Sequence, residues 1–488
     1  MKNKITFLIL FIVLGFCSLQ AQVTQEWVQI YTGPFDDKAS SIAVDDSENV
    51  YVSGRSYRSG TGHNCATIKY NSSGVQQWGQ SHNGFGTGFY GPTSLEVDNS
   101  GNVYITGSSA ESGTYPDYTT IKYNSSGVQT WIQSYNGPGN SYDGAHSLAV
   151  DGSGNVYVTG HSPGIGTNND YATIKYSSSG DQQWVQRYNG PGNLGDYANS
   201  LAVDDSGNVY VTGSSGNGIN SDYATIKYNS SGVQQWVQRY NGTGNNHNAA
   251  HSIAVDYSGN VYVTGKSDSY PHTVYATIKY NSSGVQQWIQ EYGPINNVEN
   301  APPSLAVDGS GNAYITGNSV GSGTSADYAT VKYNSSGVQQ WVQLYNGPGN
   351  GDDGATSLAV DISGNVFVTG GSIGSGSSYD YATIKYNSSG VQQWVQTYNG
   401  NNYDIASSLA LDGSGNVYVT GGSIGSGTSY DYATIKYSQT DDISAPSNLE
   451  AQSVDSSFIK VTWQDNSNDE DGFYIERTQI NDSSHWEV

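Results

Sequence analysis

Six aspartates recur at one position of a repeating sequence, and their carboxylates are the groups best placed to do chemistry. Each directly precedes the segment "YATIKY" or a close variant of it: Asp117, Asp170, Asp222, Asp327, Asp380 and Asp431. Asn64 and Val274 stand at this position in the other two copies. A ring of carboxylates attracts cations or basic partners. Aspartate also caps loops by accepting hydrogen bonds from backbone amides, and we favour that interpretation while cation binding stays open.

Two loops that depart from the repeat carry aromatic residues. The loop "SHNGFGTGFYGPTS" has Phe85, Phe89 and Tyr90 where other copies read "YNGPGN", and "KSDSYPHTVY" adds Tyr270 and His272. Aromatic rings beside Asn and Asp on a rigid surface suit recognition of carbohydrate or protein. These five residues and the six aspartates are our candidate binding residues. The alternative is that the loops vary without binding anything.

The sequence contains no recognised motif for a catalytic site. No G-x-S-x-G motif, phosphate loop or unique carboxylate pair occurs, and the one H-x-x-x-H spacing among the eight histidines, His247 to His251, lacks the Glu of H-E-x-x-H. The repeated turn "D-x-S-G-N" lacks the further carboxylates of an EF-hand, so we expect its Asp to bond turn amides rather than calcium. We therefore nominate no catalytic residue, no metal ligand and no cofactor.

Charge and composition narrow the class of partner. The chain has 488 residues, of which 12% are charged, and 42 acidic against 18 basic side chains give a formal net charge of −24. Such a surface repels DNA and RNA, so we expect no nucleic-acid partner. One lysine repeated before the last Tyr of each "YATIKY" copy supplies eight of the basic residues. We expect its stem to cover tyrosines and its ammonium to pair with a carboxylate.

The first 21 residues have the features of a cleaved signal peptide. Two lysines in Met1–Lys4 precede an apolar run, Ile5–Phe16, and cleavage is expected after Ala21. The run is shorter than the roughly 20 residues of a membrane span, and Phe16 disfavours lipidation at Cys17. We therefore expect a secreted or cell-surface protein without a membrane span. Only Cys65 would remain, so no intrachain disulfide can form.

A unit of 51 to 53 residues fills most of the chain. Its tryptophan recurs at Trp27, Trp78, Trp131, Trp184, Trp236, Trp288, Trp341 and Trp394. Each unit holds four short segments rich in β-branched and aromatic residues, which predict strands: A ("SLAVD"), B ("NVYVT"), C ("YATIKY") and D ("QQWVQ"). Four strands per unit of this length indicate an all-β fold, a β-propeller of four-stranded blades with A nearest the axis and D at the rim.

The two ends of the repeat region predict how the ring closes. The chain starts with a D strand, Gln25–Tyr31, and its last unit stops at a C strand, Tyr432–Tyr437. If the first strand completes the last blade, no sheet edge is left open and the blades number eight. An open spiral would leave both strands unpaired. We expect a monomeric eight-bladed propeller over residues 22–440.

Two motifs resemble known propeller families. "DYATIKYNSSG" and "SLAVDGSGNVYVTG" look like the bacterial SBBP β-propeller repeat, a family named for seven blades, over residues 25–437. That resemblance implies a secreted scaffold without catalytic residues. The Gly-x-x-x-Trp spacing in "IKYNSSGVQQW" is similar to the tryptophan-docking repeats of eight-bladed quinoprotein dehydrogenases. It implies Trp packed between blades, but their disulfide and catalytic set have no counterpart here.

Residues 441–488 resemble the first half of a fibronectin type III domain. Pro446 would open it, Trp463 would be its core Trp and "GFYIER" its third strand. Half of a β-sandwich cannot bury its inner face. We therefore expect either a fragment of a longer protein or a poorly folded tail.

Two functions fit these features. D–A and B–C loops lie on the same face of a propeller and carry the variation, so this face is the expected binding surface. The favoured function is a secreted, non-catalytic scaffold for binding or adhesion to extracellular glycan or surface protein. The alternative is a secreted enzyme acting on polysaccharide, with its catalytic residues in the divergent loops.

Overall fold

The computed structural model contains eight four-stranded antiparallel sheets, each ordered A-B-C-D. It describes residues 23–33, 35–59, 62–83, 91–110, 115–244, 246–269, 272–295, 303–320, 325–376, 378–400, 402–424, 429–439, 447–453, 459–464, 474–479 and 482–487. The all-β, eight-bladed propeller is therefore confirmed. The propeller forms one compact unit, residues 25–438, and the described residues outside this range belong to a second.

Blades are numbered 1 to 8 in the chain order of their A strands, and each blade has one strand of each type. The A strands are Asp37–Val44, Pro92–Val97, Gly144–Val150, Asp196–Val203, Asn248–Val255, Ser304–Val307, Gly354–Val360 and Asp404–Leu411. The B strands are Val50–Arg58, Val103–Ser109, Val156–Pro163, Val209–Gly216, Val261–Ser269, Ala313–Val320, Val366–Ile373 and Val417–Ile424. The C strands are Gly62–Tyr70, Asp117–Tyr123, Asn169–Tyr176, Ser221–Tyr228, His272–Tyr280, Ala326–Tyr333, Tyr379–Tyr386 and Tyr430–Gln439. The D strands are Gln76–His82, Gln129–Tyr135, Gln182–Tyr188, Gln234–Tyr240, Gln286–Ile295, Gln339–Tyr345, Gln392–Tyr398 and, completing blade 8, Val23–Tyr31.

The ring is closed by the N-terminal strand, as the orphan strands predict. Val23–Tyr31 pairs with the C strand of blade 8, Tyr430–Gln439. Each A strand contacts the A strands of both neighbouring blades, including blade 1 with blade 8. The A strands therefore lie nearest the axis, and they contact one another all the way around it.

Tyrosines from one blade fill the gap to the next. At the interface of blades 3 and 4, Tyr157 and Tyr171 pack on Ala198, Leu201 and Val209. Both tyrosines are fully buried. Side chains alternate between the two faces of a strand, and each tyrosine lies on the face that packs against the next blade. Since a buried aromatic removes about 150–250 Å² from water, repeating the contact around the ring supplies most of the core.

The repeated turns are held by their own side chains. In the A–B turn of blade 3, Asp151 Oδ1 accepts from the backbone N–H groups of Ser153 and Asn155, both at 2.9 Å. Its Oδ2 accepts from the Tyr157 hydroxyl at 2.9 Å. Gly154 completes the turn at φ +76°, where L side chains are disfavoured. The turn aspartate is thus occupied by turn amides, as expected.

The tryptophan docks on the next blade, also as expected. The Trp131 indole N–H donates to the Ser178 carbonyl at 3.2 Å. In the same C–D turn Gly180 has φ +91°, and a Cβ there would lie 2.9 Å from the indole. The repeated lysine uses this turn too, but not through a carboxylate: Lys122 Nζ lies 4.9 Å from the Tyr104 ring centre and 3.2 Å from Ser178 O. The expected carboxylate pairing is confirmed for Lys436, whose Nζ lies 3.3 Å from Glu48 Oε2, and was wrong for Lys122, which contacts the turn carbonyl instead.

The tail contains two antiparallel strand pairs, Ser447–Ser453 with Ile459–Gln464 and Tyr474–Gln479 with Asp482–Glu487. The partial fibronectin-like sandwich stays a prediction. Residues 1–21, the expected signal peptide, lie outside the described residues. Within the described part of the chain, no helix has the length and hydropathy to cross a membrane.

Candidate functional site

The face formed by the D–A and B–C loops carries the six predicted aspartates, and two of them are ion-paired. Asp170 Oδ2 lies 2.9 Å from Arg187 Nη2, and Asp222 Oδ2 lies 2.8 Å from Arg239 Nη2. Each arginine comes from the D strand of the same blade and also bonds a serine, as Arg187 does with Ser162 Oγ at 2.7 Å. In blades 3 and 4 this aspartate therefore braces the loop.

Blades 7 and 8 have the aspartate without the arginine. Thr397 and Ile30 stand at the position of Arg187 in these two blades. Burial and the nearby Asp404 raise the pKa of the Asp380 carboxyl, and its buried Oδ1 accepts no hydrogen bond from the described residues. Burial also raises the pKa of Asp431, and a hydrogen bond with Thr32 opposes the shift.

The last two predicted aspartates also lie at blade interfaces. Asp327 is 5% exposed, and Asp117 on blade 2 bonds to Asp143 on blade 3. Both have partners in the structure. Their placement again fits loop bracing, while their proposed part in binding stays a prediction.

Sequence reasoning missed a second series of aspartates, in the D–A loops. These side chains are at most 1% exposed: Asp37, Asp143, Asp196, Asp353 and Asp404. In each, Oδ2 accepts from the N–H of a glycine in the same loop, for example Gly190 to Asp196 at 2.7 Å. Burial raises the pKa of Asp196, and Asp170 on the preceding blade adds to the shift. The available signal was an Asp recurring four residues before the Ser of "SLAVD".

Three tyrosines form a row on this face, across blades 7 and 8: Tyr379 and Tyr430 begin C strands, and Tyr403 lies in a D–A loop. The ring centres of Tyr379 and Tyr403 are 5.1 Å apart, and those of Tyr403 and Tyr430 are 6.0 Å apart. On the next blade, Lys38 Nζ lies 5.9 Å from the Tyr430 ring centre. All four side chains are partly exposed. We call these four residues the aromatic row.

Polar groups border the aromatic row at both ends. Beside Tyr379 and Tyr403, the Ser378 hydroxyl donates to Asn402 Oδ1 at 3.3 Å. At the other end Asp36 Oδ1 accepts from the Tyr430 N–H at 3.3 Å, and its Oδ2 lies 3.5 Å from Arg55. Aromatic faces next to donors and acceptors of both kinds suit a ligand with apolar faces and many hydroxyls.

Beyond Arg55, blade 1 carries a second, smaller aromatic group. The Tyr57 ring lies 5.3 Å from Phe35 and 5.1 Å from His63, both edge to face. Phe35 is 44% exposed. Burial and the Arg55 charge lower the pKa of His63, so its imidazole is neutral at pH 7. This group extends the aromatic surface onto blade 1.

Blade 3 has two histidines in contact on the same face. His146 Nε2 lies 2.9 Å from His161 Nδ1, and the His161 ring is flanked by Tyr142 and Tyr197 at 5.3 and 5.0 Å. Burial and His146 lower the pKa of His161 to about 3. The two imidazoles therefore form a neutral, hydrogen-bonded pair. Among the described residues, no group of three or more His, Cys, Asp or Glu is placed to hold a metal ion.

Five residues of the divergent loops were also predicted to bind a ligand, and the structure describes one of them. His272 is exposed at the start of the C strand of blade 5. Phe85, Phe89, Tyr90 and Tyr270 lie outside the described residues.

A cavity of about 440 Å³ lies on the opposite face, between the A–B turns of blades 2 and 3. It is lined by Glu96, Asp98, Asp151 and Lys122. The two aspartates are bonded within their turns and Lys122 to Ser178, so their groups are already occupied. Glu96 replaces an alanine of the other copies, and a single carboxyl cannot supply both the acid and the base of glycoside hydrolysis.

Part of the repeat region is similar to a known family of repeats. Six segments match the beta-propeller repeat called SBBP: residues 26–58, 130–165, 183–220, 235–271, 287–323 and 340–376. The segment 130–165 covers the D strand of blade 2 and the A and B strands of blade 3. No curated protein matches the chain.

Solved structures share the architecture at low identity. Sqt1 from Chaetomium thermophilum is 9% identical with a TM-score of 0.50, over 86% of this chain and 98% of that one. Sqt1 bound to the N-terminus of the ribosomal protein L10 is 10% identical with the same TM-score, over 86% and 100% of the two chains. The polysaccharide lyase Uly1 is 11% identical with a TM-score of 0.41, over 84% and 91%. The likeness to the two Sqt1 structures shows a shared fold and nothing about activity.

Proposed function

We propose that this chain of SBBP β-propeller repeats is a non-catalytic binding scaffold that acts outside the cell. Its D–A and B–C loop face contacts glycan or protein, and the chain works as a monomer exported by its N-terminal segment. The single observation that carries the proposal is the aromatic row, Tyr379, Tyr403, Tyr430 and Lys38, because it places partly exposed rings on the face where the repeats differ.

The division of labour within the repeat supports this proposal. The repeated Trp, Lys and Tyr side chains are used in packing or in turn contacts between blades. The A–B and C–D turns at the other end are nearly identical copies, whereas the D–A and B–C loops vary in sequence. Loops that vary on a rigid scaffold are where binding proteins place their contacts. Sqt1, which shares the architecture, has been observed with the N-terminus of a protein partner.

A secreted enzyme acting on polysaccharide is the alternative. It would need an acid and a base in one cleft, with a carboxyl separation of about 5–10 Å for glycoside hydrolysis. In the pair of Asp170 and Asp196, which lies across blades 3 and 4, the first is occupied by an arginine and the second by a backbone amide. This occupation favours the scaffold.

Binding and turnover are tested together on the chain from residue 22. Immobilised glycans and extracellular proteins are screened for binding, and polysaccharide cleavage is followed by the release of reducing ends. Binding that is lost in Tyr430→Ala and kept in Tyr257→Ala supports the proposal, because Tyr257 is 91% exposed in an A–B turn on the other face. Saturable cleavage that disappears when one loop-face carboxylate is replaced would overturn it.

A further inference from the structure

The aromatic row lies where two blades have lost a side chain that other blades possess. One B-strand position, paired with the first residue of "YATIKY", holds a different residue in most blades: Arg55, Ser108, His161, Ser214, Lys266, Asn318, Gly371 and Gly422. Only blades 7 and 8 have glycine there. The same two blades have a tyrosine directly before the C-strand aspartate, Tyr379 and Tyr430.

Each glycine lets a tyrosine and a residue of the next blade pack directly over the B strand. A Cβ at Gly371 would lie 3.0 Å from Ile405 Cγ1 and 3.2 Å from Tyr379 Cδ1. At Gly422 it would lie 3.1 Å from Lys38 Cγ and 3.2 Å from Tyr430 Cδ1, so neither position has room for a larger residue without a shift of these neighbours. In blade 3 the same position is filled by His161, which packs against Tyr142 and Tyr197. These close contacts over a glycine are therefore specific to blades 7 and 8.

Tyr379 and Tyr430 lie one blade apart, and Tyr403 connects them. Its ring lies between Tyr379 and Tyr430, at 5.1 and 6.0 Å from their centres. A single sugar ring covers one aromatic ring, so this surface fits a chain of sugars rather than a monosaccharide. Ser378, Asn402, Lys38 and Asp36 supply hydroxyl, amide, ammonium and carboxylate groups at its borders.

The chemistry of the surface favours a glycan over a peptide. The C strands that carry Tyr379 and Tyr430 are paired on both sides within their sheets, so no free strand edge is available to bond an extended peptide. Ile405 is the aliphatic neighbour of Gly371, and rings with mixed polar neighbours suit the alternating C–H faces and hydroxyls of sugars. Lys38 and Arg55 are balanced in part by Asp36, which suits an uncharged sugar chain.

We propose that the aromatic row forms a binding site for a chain of neutral hexoses or pentoses, with Tyr379, Tyr403 and Tyr430 as stacking platforms held in place by the close contacts over Gly371 and Gly422. This inference rests on the proposed function and specifies both the site and the ligand class.

The test uses the chain from residue 22 with cello-, xylo-, malto- and mannohexaose as probes, and binding is measured by calorimetry. Tyr379→Ala and Tyr430→Ala are each expected to weaken binding by about five- to tenfold, since each removes one stacking contact. Gly422→His introduces the side chain that blade 3 has at this position, but a Cβ alone would lie 3.1 Å from Lys38 and 3.2 Å from Tyr430. The variant must therefore displace both residues from the row, and it is expected to abolish binding. Tyr197→Ala, a 41% exposed tyrosine beside His161, is the matched control and should change affinity less than twofold.

The outcomes separate this inference from the proposed function. If a hexasaccharide binds but the row variants behave like Tyr197→Ala, the site is wrong and the scaffold function stands. If none of the four sugars binds, and a protein ligand is lost with Tyr430→Ala, the ligand class is wrong and the scaffold function again stands. Melting temperatures within a few degrees of the parent chain show that a loss of binding is not a loss of folding.

Discussion

Removing the guanidinium of Arg187 tests whether the repeated loop aspartate is a brace or a free ligand-binding group. Arg187 Nη2 lies 2.9 Å from Asp170 Oδ2 and 2.6 Å from the Ser162 carbonyl. Its Nη1 donates to Ser162 Oγ at 2.7 Å and to the Tyr135 hydroxyl, on the previous blade, at 3.1 Å. Arg187→Ala therefore breaks one ion pair and three further hydrogen bonds, and it strands a buried carboxylate.

The magnitude follows from burial. Removing one partner of a buried ion pair costs about 3–5 kcal/mol. The Arg187 side chain is 22% exposed and that of Asp170 is 7% exposed, so water reaches part of the pair and we expect a loss of about 2–4 kcal/mol in the free energy of unfolding. Asp170→Asn in the same chain removes the stranded charge and should recover about 1–2 kcal/mol.

Urea unfolding at pH 7, followed by tryptophan fluorescence, measures both numbers. Arg58→Ala is the control, because Arg58 is exposed at the end of a B strand, and it should change stability by less than about 0.5 kcal/mol. A loss below about 1 kcal/mol for Arg187→Ala, or a double variant no more stable than the single one, would refute the bracing role. The carboxylate would then have to be regarded as free for cations or ligands.

Three further predictions concern packing, pH and thiol chemistry. Gly180→Ala should lower stability by about 1–3 kcal/mol, because the residue has φ +91° and its Cβ would lie 2.9 Å from Trp131; Gly152→Ala, where a Cβ meets nothing within 4 Å, should be near neutral in the same thermal melts. Burial raises the pKa of turn carboxylates such as Asp151 and Asp204, but their hydrogen bonds lower it by more. These ionised carboxylates therefore stabilise the fold above the unfolded pKa of 3.8. We expect this contribution to be lost as the pH falls below that value. Burial raises the pKa of Asp196 and Asp404, so protonation stabilises the fold at low pH and this contribution disappears as the pH rises through their folded values. Asp404→Asn should therefore gain more stability at pH 7 than at pH 4 in melting experiments, as blade 5 accommodates Asn248 at the same position, and an equal effect at both pH values would contradict the assignment. Finally, Cys65 is 1% exposed and burial raises the pKa of its thiol to about 12, so a thiol reagent should label it only in denaturant; rapid labelling of the native chain would show that its strand opens.

The closed ring of blades could be predicted from the sequence because the residues that indicate it recur at a fixed period. A tryptophan every 51 to 53 residues and four strand-like segments per unit indicate blades, and the unmatched first and last strands give both the closure and the count. The glycine-tryptophan spacing predicted the docking of Trp131 on the next blade for the same reason. Repetition multiplies a weak local signal eight times, so propensity and pattern were sufficient.

Contacts across blades were not readable. Asp170 and Asp196 are 26 residues apart in different loops, and only the fold shows that they influence each other. The repeated lysine was assigned to a carboxylate because charges are visible in a sequence, whereas the Ser178 carbonyl that Lys122 contacts is not. Tyr379, Tyr403 and Tyr430 come from three separate segments of the chain. The shared "TGGS" and "SYDY" segments show that the last two repeats differ from the others. They do not show that these tyrosines are in contact.

A hydrogen-exchange footprint of the ligand on the whole chain tests most directly where this propeller binds. Amide exchange is compared with and without the tightest-binding hexasaccharide of the panel. Protection confined to the D–A and B–C loops of blades 7, 8 and 1, around Tyr403, Tyr430 and Lys38, is the result we predict. Our account is that the repeated residues stabilise the packing of the blades and that the variable loops bind the ligand. Protection centred on the A–B and C–D turns would contradict it.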